Sequence, residues 1–236
     1  MKGSRVAVMH DLALGAALLI LVGAPLARAG QPAAVAAAAD TVKITKTPAN
    51  VQHRTFDSRR PPREMPQLKP PEAAVCASDF LSDAAVGGHA VQTDATHAKL
   101  IIDRVEVTLQ LNITIWLPQN PARTVVEHEE GHRQIAEYFY ENADAIAKRL
   151  AQPYLGKTIE INGRDLRKAA SAALNKAGTE ITEAYNKEMP VELTEARYDA
   201  ITNHSLNDIP VPDAVAQAIR ETALTIHQPM ATPGKK

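Results

Sequence analysis

Residues 128–132 read HEEGH and lie in a segment whose apolar spacing predicts a helix. This H-E-x-x-H pattern is typical of zinc sites, because histidines four residues apart project from the same helix face. The ring nitrogens of His128 and His132 can then converge on one ion at roughly 2.0–2.1 Å. Glu129 points off that line, so it can take a proton from a water held by the metal. The stretch predicts a zinc-binding helix with Glu129 as general base.

A strand precedes this helix and a second long helix follows it. From residue 105 to 117 apolar residues occupy alternate positions, within a β-rich stretch that starts at Lys99 and predicts a half-buried strand. The zinc helix is expected over residues 121–151 with Asn120 as its N-cap. Asp165 is the expected N-cap of the second long helix. These elements predict an α+β, zincin-like fold, in which a small, mostly antiparallel, twisted sheet packs on the zinc helix.

The ends of the chain differ in character from this central part. Residues 1–29 are typical of a secretory signal peptide, with a basic start, an apolar stretch and the cleavage site Ala27-Arg28-Ala29. Residues 30–71 are rich in proline and alanine and predict a flexible linker with at most one strand, at 41–45. The catalytic domain is expected over residues 72–228, and residues 229–236 form a flexible tail.

Charge and the signal peptide limit the classes of partner. The chain carries 26 basic and 27 acidic side chains, so it offers no general electrostatic attraction to nucleic acid. A signal peptide brings a protein to the membrane only transiently. We therefore expect a periplasmic or secreted bacterial protein that acts on a peptide or protein substrate.

A catalytic zinc usually has three protein ligands, so one more is needed beyond the two histidines. The extension of the metzincin class is excluded, because Ile135 and Tyr138 stand where it needs glycine and histidine. A glutamate on a later helix is one solution, and His204 is the other. The glutamates that qualify are Glu180, Glu183 and Glu195.

Residues 198–204 read YDAITNH and resemble the Y-D-x-x-T-x-H-G motif of a family of bacterial predicted secreted zinc-dependent proteases. Together with the H-E-x-x-H motif, the resemblance spans roughly residues 90 to 210, and Ser205 departs from the usual glycine. It implies that His204 completes the zinc site and that Tyr198 and Asp199 belong to the same cluster. Asp199 could accept the spare N–H of a ligating ring, and Tyr198 could donate to a developing oxyanion.

The expected activity is hydrolysis of peptide bonds by a water that zinc and Glu129 activate. The substrate could add as a strand along the edge of residues 105–116. Two alternatives stay open at this point. One is a zinc-dependent hydrolase of cell-wall amide bonds, and the other is a binding protein whose zinc has a purely structural role.

Overall fold

The computed structural model describes Ala7–Val8, Leu19–Leu21 and residues 41–227. Within these residues the chain forms one seven-stranded sheet and five α-helices, which confirms the predicted α+β class. Most of the predicted signal peptide, its cleavage site and the predicted tail at 229–236 lie outside the described residues. The strands are, in chain order, β1 (Ala7–Val8), β2 (Leu19–Leu21), β3 (Thr41–Lys46), β4 (Asn50–Phe56), β5 (Val75–Gln92), β6 (His97–Pro118) and β7 (Thr158–Asn162).

An antiparallel hairpin of β5 and β6 forms the centre of the sheet. β6 confirms the strand predicted from Lys99 to Leu117, and its apolar side chains at alternate positions fill the main core. The other edge of β6 pairs in turn with β7, β3 and β4, so both edges of this strand are occupied. The buried residues of β6 that alternate in this way are Val105, Val107, Leu109, Leu111, Ile113 and Ile115.

The expectation of a mostly antiparallel sheet is wrong. Among the described strands, β1 and β2 run parallel to β5, and β3 and β4 run parallel to β6. Antiparallel pairing joins β5 to β6 and β6 to β7. Alternation of apolar and polar residues indicates which face of a strand is buried, but it contains no information on the direction of the neighbouring strand.

The expected flexible linker over residues 30–71 is also wrong for much of its described part. The strand predicted at 41–45 is present as β3, and β4 is a second strand that the sequence did not indicate. Most side chains of β4 are exposed, because it lies at the side of the sheet and is held mainly by backbone hydrogen bonds to β6. A polar edge strand lacks the amphipathic pattern by which strands are predicted.

The end of β4 is anchored by a second, smaller apolar cluster. Phe56 packs there with Met65, Val75 and Trp116, and all four side chains are buried. Trp116, near the end of β6, is therefore a packing residue. The chain between β4 and β5 passes through this cluster and crosses from one side of β6 to the other.

The helices are α1 (Arg123–Glu141), α2 (Ala143–Ala151), α3 (Leu166–Glu188), α4 (Val191–Thr202) and α5 (Val211–His227). The helix expected over 121–151 is divided into α1 and α2 at Asn142, and it begins after Ala122. Asn120 is not its N-cap, because this residue has a left-handed backbone with φ 54° and belongs to the preceding turn. The predicted cap of α3 is confirmed, since the Asp165 carboxylate accepts from the Lys168 N–H at 2.9 Å.

Helices α4 and α5 pack against α1, so the chain after Pro190 returns to the histidine-bearing helix. None of the helices in the described part of the chain has the length and apolar character that a membrane span requires.

Phe56→Ala tests whether β4 is part of the folded domain. We expect the free energy of unfolding to fall by about 3–5 kcal/mol, because the change leaves a cavity in the smaller cluster. Chemical denaturation measures the effect. Lys43→Ala, at an exposed position of β3, is the control and should stay within about 0.5 kcal/mol of wild type. Equal stability of the two variants would contradict the docking of this segment.

Candidate metal centre

The two histidines of α1 lie side by side on its buried face, as their spacing predicted. The ring centroids of His128 and His132 are 4.9 Å apart and the rings are nearly perpendicular. Only 8% of the His128 side chain and 11% of the His132 side chain are exposed. Their environment therefore excludes most of the solvent, while both rings line a cavity.

Asp199 on α4 brings a carboxylate to both rings. Its Oδ1 lies 3.2 Å from His128 Nε2 and 3.0 Å from His132 Nε2. The ligand atoms of these three residues all lie within 4.8 Å of one another. Adjacent ligands of a tetrahedral zinc ion are roughly 3.3 Å apart if each bond is about 2.05 Å. The donor set and its spacing therefore fit a metal ion.

His204 also reaches the site, but it is less tightly placed. Its Nδ1 lies 3.6 Å from Asp199 Oδ1, and 29% of its side chain is exposed. The group whose ligand atoms are mutually close consists of His128, His132 and Asp199, and His204 is not in it. The structure thus brings together every residue of the predicted cluster, with Asp199 rather than His204 between the two buried rings.

Thr202 orients one ring and was not identified from the sequence. Its hydroxyl donates to the Tyr198 carbonyl oxygen at 2.8 Å, so the proton of that hydroxyl is already used. The oxygen can then accept from His128 Nδ1, which lies 3.3 Å away. A neutral His128 ring with its proton on Nδ1 would have an unprotonated Nε2 that can bind a metal. The signal was available, since residues 198 and 202 lie one turn apart on α4.

Tyr198 lies beneath the histidines rather than in the cavity. Its ring stacks on His128 with 5.0 Å between centroids, and its hydroxyl donates to the His128 carbonyl oxygen at 3.2 Å. The side chain is fully buried. The hydroxyl is therefore occupied away from any substrate, and the catalytic role expected for Tyr198 does not fit this geometry. The residue instead positions the His128 ring.

Gly131 makes this close packing of α4 on α1 possible. A methyl group at position 131 would overlap the Tyr198 phenol, which occupies the space beside the helix backbone. Glycine is unfavourable in a helix by roughly 1 kcal/mol relative to alanine. Its presence between the two histidines is explained by the approach of Tyr198, and the sequence alone gave no reason for it.

Burial, hydrogen bonds and charge determine the protonation of the cluster. Burial opposes ionisation of Asp199, but hydrogen bonds to His128 and His132 hold the pKa of its carboxyl well below its usual range. Burial likewise acts to lower the pKa of His132, yet the hydrogen bond to Asp199 and the negative charges of Asp199 and Glu129 raise it overall. A metal ion entering the site would therefore displace a proton from His132.

Of the three glutamates considered as ligands, Glu195 is at the site and the other two are elsewhere. Glu195 lines the same cavity, accepts a hydrogen bond from the Ser78 hydroxyl at 3.3 Å, and has its pKa raised by burial to about 7. Glu180 accepts from the Tyr154 hydroxyl at 3.1 Å, and Glu183 is exposed on α3. Neither belongs to the group around the two histidines.

A cavity of about 930 Å³ opens beside the cluster. Glu129 lines it together with both histidines, and the opposite walls come from residues 69–76, from α4 and from the turn at 203–206. The substrate edge expected at residues 105–116 is wrong, because β6 is paired along both sides. The chain before and at the start of β5 borders the cavity instead.

No protein-family model matches the chain, and no curated protein or solved structure is significantly similar to it. The similarity to secreted zinc proteases therefore rests on the two motifs, and the case for a function rests on the geometry of the site.

Comparison of Gly131→Ala with a control variant separates two contributions to the free energy of unfolding, packing against Tyr198 and helix propensity. The added methyl group cannot move away from the Tyr198 phenol, so we expect a loss of about 1–3 kcal/mol in the free energy of unfolding. Ala145→Gly, at an exposed position of α2, measures the propensity effect alone and should cost about 1 kcal/mol. Thermal or chemical denaturation compares them. A Gly131→Ala protein more stable than wild type would refute the close contact.

Proposed function

We propose that the chain is a zinc-dependent metallopeptidase of the zincin type, exported by the signal peptide that residues 1–29 predict. The observation that supports it is the convergence of His128, His132 and Asp199 next to Glu129 at the wall of an open cavity. A bound Zn²⁺ would supply an activated water and polarise the substrate carbonyl. A cavity of about 930 Å³ has room for several residues of a peptide.

Glu129 would carry out the proton transfers, and the two histidines would hold the metal. Glu129 takes one proton from the attacking water, whose oxygen forms a bond to the carbonyl carbon. The bond from that carbon to the amide nitrogen then breaks, and Glu129 passes the proton to the leaving amine. His128 and His132 hold the metal, while Thr202 and Tyr198 keep the His128 ring in its orientation.

Asp199 is the third ligand that the geometry supports best. Its Oδ1 is within 3.2 Å of both Nε2 atoms, closer than His204 comes to the same oxygen. Three protein ligands leave one position for water, as catalysis requires. Should His204 bind as well, four protein ligands would close the site, and the zinc would be structural. That second candidate is favoured only by the 3.6 Å contact of His204.

Metal content tests the site. We expect close to one zinc per chain in the wild-type protein and a large loss in His132→Ala and Asp199→Ala, because two protein ligands are too few for tight binding. Elemental analysis after dialysis measures it. His97→Ala is the matched control, since that ring is exposed and forms hydrogen bonds with Asp94 and Thr96, away from the cluster. A full zinc content in His132→Ala would exclude the proposed metal site.

Glu129→Gln tests the reaction. The amide keeps the shape of the side chain but cannot take a proton, so we expect unchanged zinc and a fall of about 10²–10⁴-fold in kcat. Cleavage of casein and of peptidoglycan fragments should be assayed side by side, which also separates peptide hydrolysis from hydrolysis of cell-wall amides. Glu127→Gln is the control, because Glu127 pairs with Arg123 on the surface of α1. Undiminished turnover by Glu129→Gln would exclude it as the base.

A further inference from the structure

The turn after α4 directs His204 back toward the histidine pair. Asn203, His204 and Ser205 all have left-handed backbones, with φ values of 47°, 51° and 72°. Backbone hydrogen bonds hold the turn, from the His204 N–H to the Asp199 carbonyl at 3.3 Å, from the Leu206 N–H to the Asn203 carbonyl at 3.2 Å and from the Asn207 N–H to the Thr202 carbonyl at 3.0 Å. Left-handed conformations are unfavourable for non-glycine residues, so this turn depends on the surrounding structure to persist.

The His204 ring stands at the edge of the cluster and faces the cavity. Its centroid lies 6.2 Å from that of His128, and its Nδ1 is the ring nitrogen near Asp199. Nδ1 and Nε2 flank the same ring carbon but face outward in different directions, so Nε2 does not face Asp199 when Nδ1 does. The side chain lines the cavity and is about three times as exposed as those of His128 and His132. Nε2 can therefore meet a substrate that occupies the cavity.

We propose that His204 is a catalytic residue that donates a hydrogen bond from Nε2 to the substrate carbonyl oxygen as that oxygen becomes negatively charged, and that it is not a metal ligand. This inference rests on the proposed peptidase function. Two observations carry it: the compact group of three ligand atoms excludes His204, and Tyr198 uses its hydroxyl beneath α1.

The two possible roles of His204 make opposite demands on its chemistry. A histidine that binds a metal needs a ring nitrogen without a proton. Neither glutamine nor asparagine replaces imidazole well as a zinc ligand. A donor needs only an N–H at the right reach. The glutamine amide extends about as far as Nε2, whereas the asparagine amide extends only as far as Nδ1. The pair His204→Gln and His204→Asn therefore distinguishes the donor from the ligand.

The experiment compares wild type with His204→Ala, His204→Gln, His204→Asn and the turn control Asn207→Ala, which removes the hydrogen bond from the Asn207 side chain to the Ile201 carbonyl oxygen. For each protein, three quantities are measured: zinc per chain, kcat and KM on a fluorogenic peptide that the wild type cleaves, and Kd for a phosphinic peptide of the same sequence. The phosphinic oxygen carries the negative charge that the attacked carbonyl oxygen acquires, so its affinity reports the donor independently of turnover.

We expect zinc to be unchanged in all His204 variants. Removal of one donor to an oxyanion lowers kcat by about 10²–10³-fold, so we expect this loss in His204→Ala and His204→Asn. KM should change little, because the bond forms only in the transition state. His204→Gln should recover part of kcat and part of the affinity for the phosphinic peptide. Asn207→Ala should behave as wild type, because Asn207 does not line the cavity.

Loss of zinc in His204→Ala would overturn the inference and make His204 a ligand. Wild-type kcat in that variant would overturn it too, and an equal defect in Asn207→Ala would assign the effect to the turn. Failure of the proposed function has a different signature, since a zinc-loaded wild-type protein would then cleave neither peptide nor casein.

Discussion

The contact of the Asp199 carboxylate with the two histidine rings of α1 is the interaction on which the site depends. It joins Asp199 to His132, which is 67 positions earlier in the chain, and fixes α4 across α1. That crossing requires a close approach of the two helices, which Gly131 permits and the buried Tyr198 ring fills. Thr202, one turn further along α4, then orients the His128 ring. A single inter-helix geometry thus determines the relative positions of His128, His132 and Asp199 and shapes the wall of the cavity.

Elements with a strong local pattern were predictable from the sequence. The alternation in β6 and the Asp165 cap of α3 each depend on residues close together in the chain, and both are confirmed. β4 has no such pattern, because its polar side chains face solvent and the strand is held by backbone hydrogen bonds to β6. The parallel direction of β3 and β4 could not be predicted either, since it depends on how the N-terminal chain reaches a strand formed much later in sequence.

The residues of the site were predictable as a set, whereas their individual roles were not. Residue type favoured His204 as the ligand and Asp199 as its support, because imidazole is a common zinc ligand. In the structure, Asp199 rather than His204 lies between the two buried rings. Asp199 lies within α4, which packs directly on α1, whereas His204 comes after the left-handed residues that follow the helix. The distance of each side chain from the ring nitrogens of His128 and His132 depends on this tertiary arrangement. The spacing of residues within a motif does not determine it.

The paired edges of β6 have a consequence for the order in which the molecule assembles. β6 takes neighbours from both sides of the sequence, from β3 and β4 before it and from β7 after it. Contacts between distant segments form slowly, because the intervening loops must first be closed. The residues of the candidate metal centre on α1 and α4 are separated in the same way, so a partly folded chain presents the HEEGH helix without its carboxylate partner. The group of His128, His132 and Asp199 is therefore complete only late in folding, and before that stage the chain presents only two adjacent imidazoles.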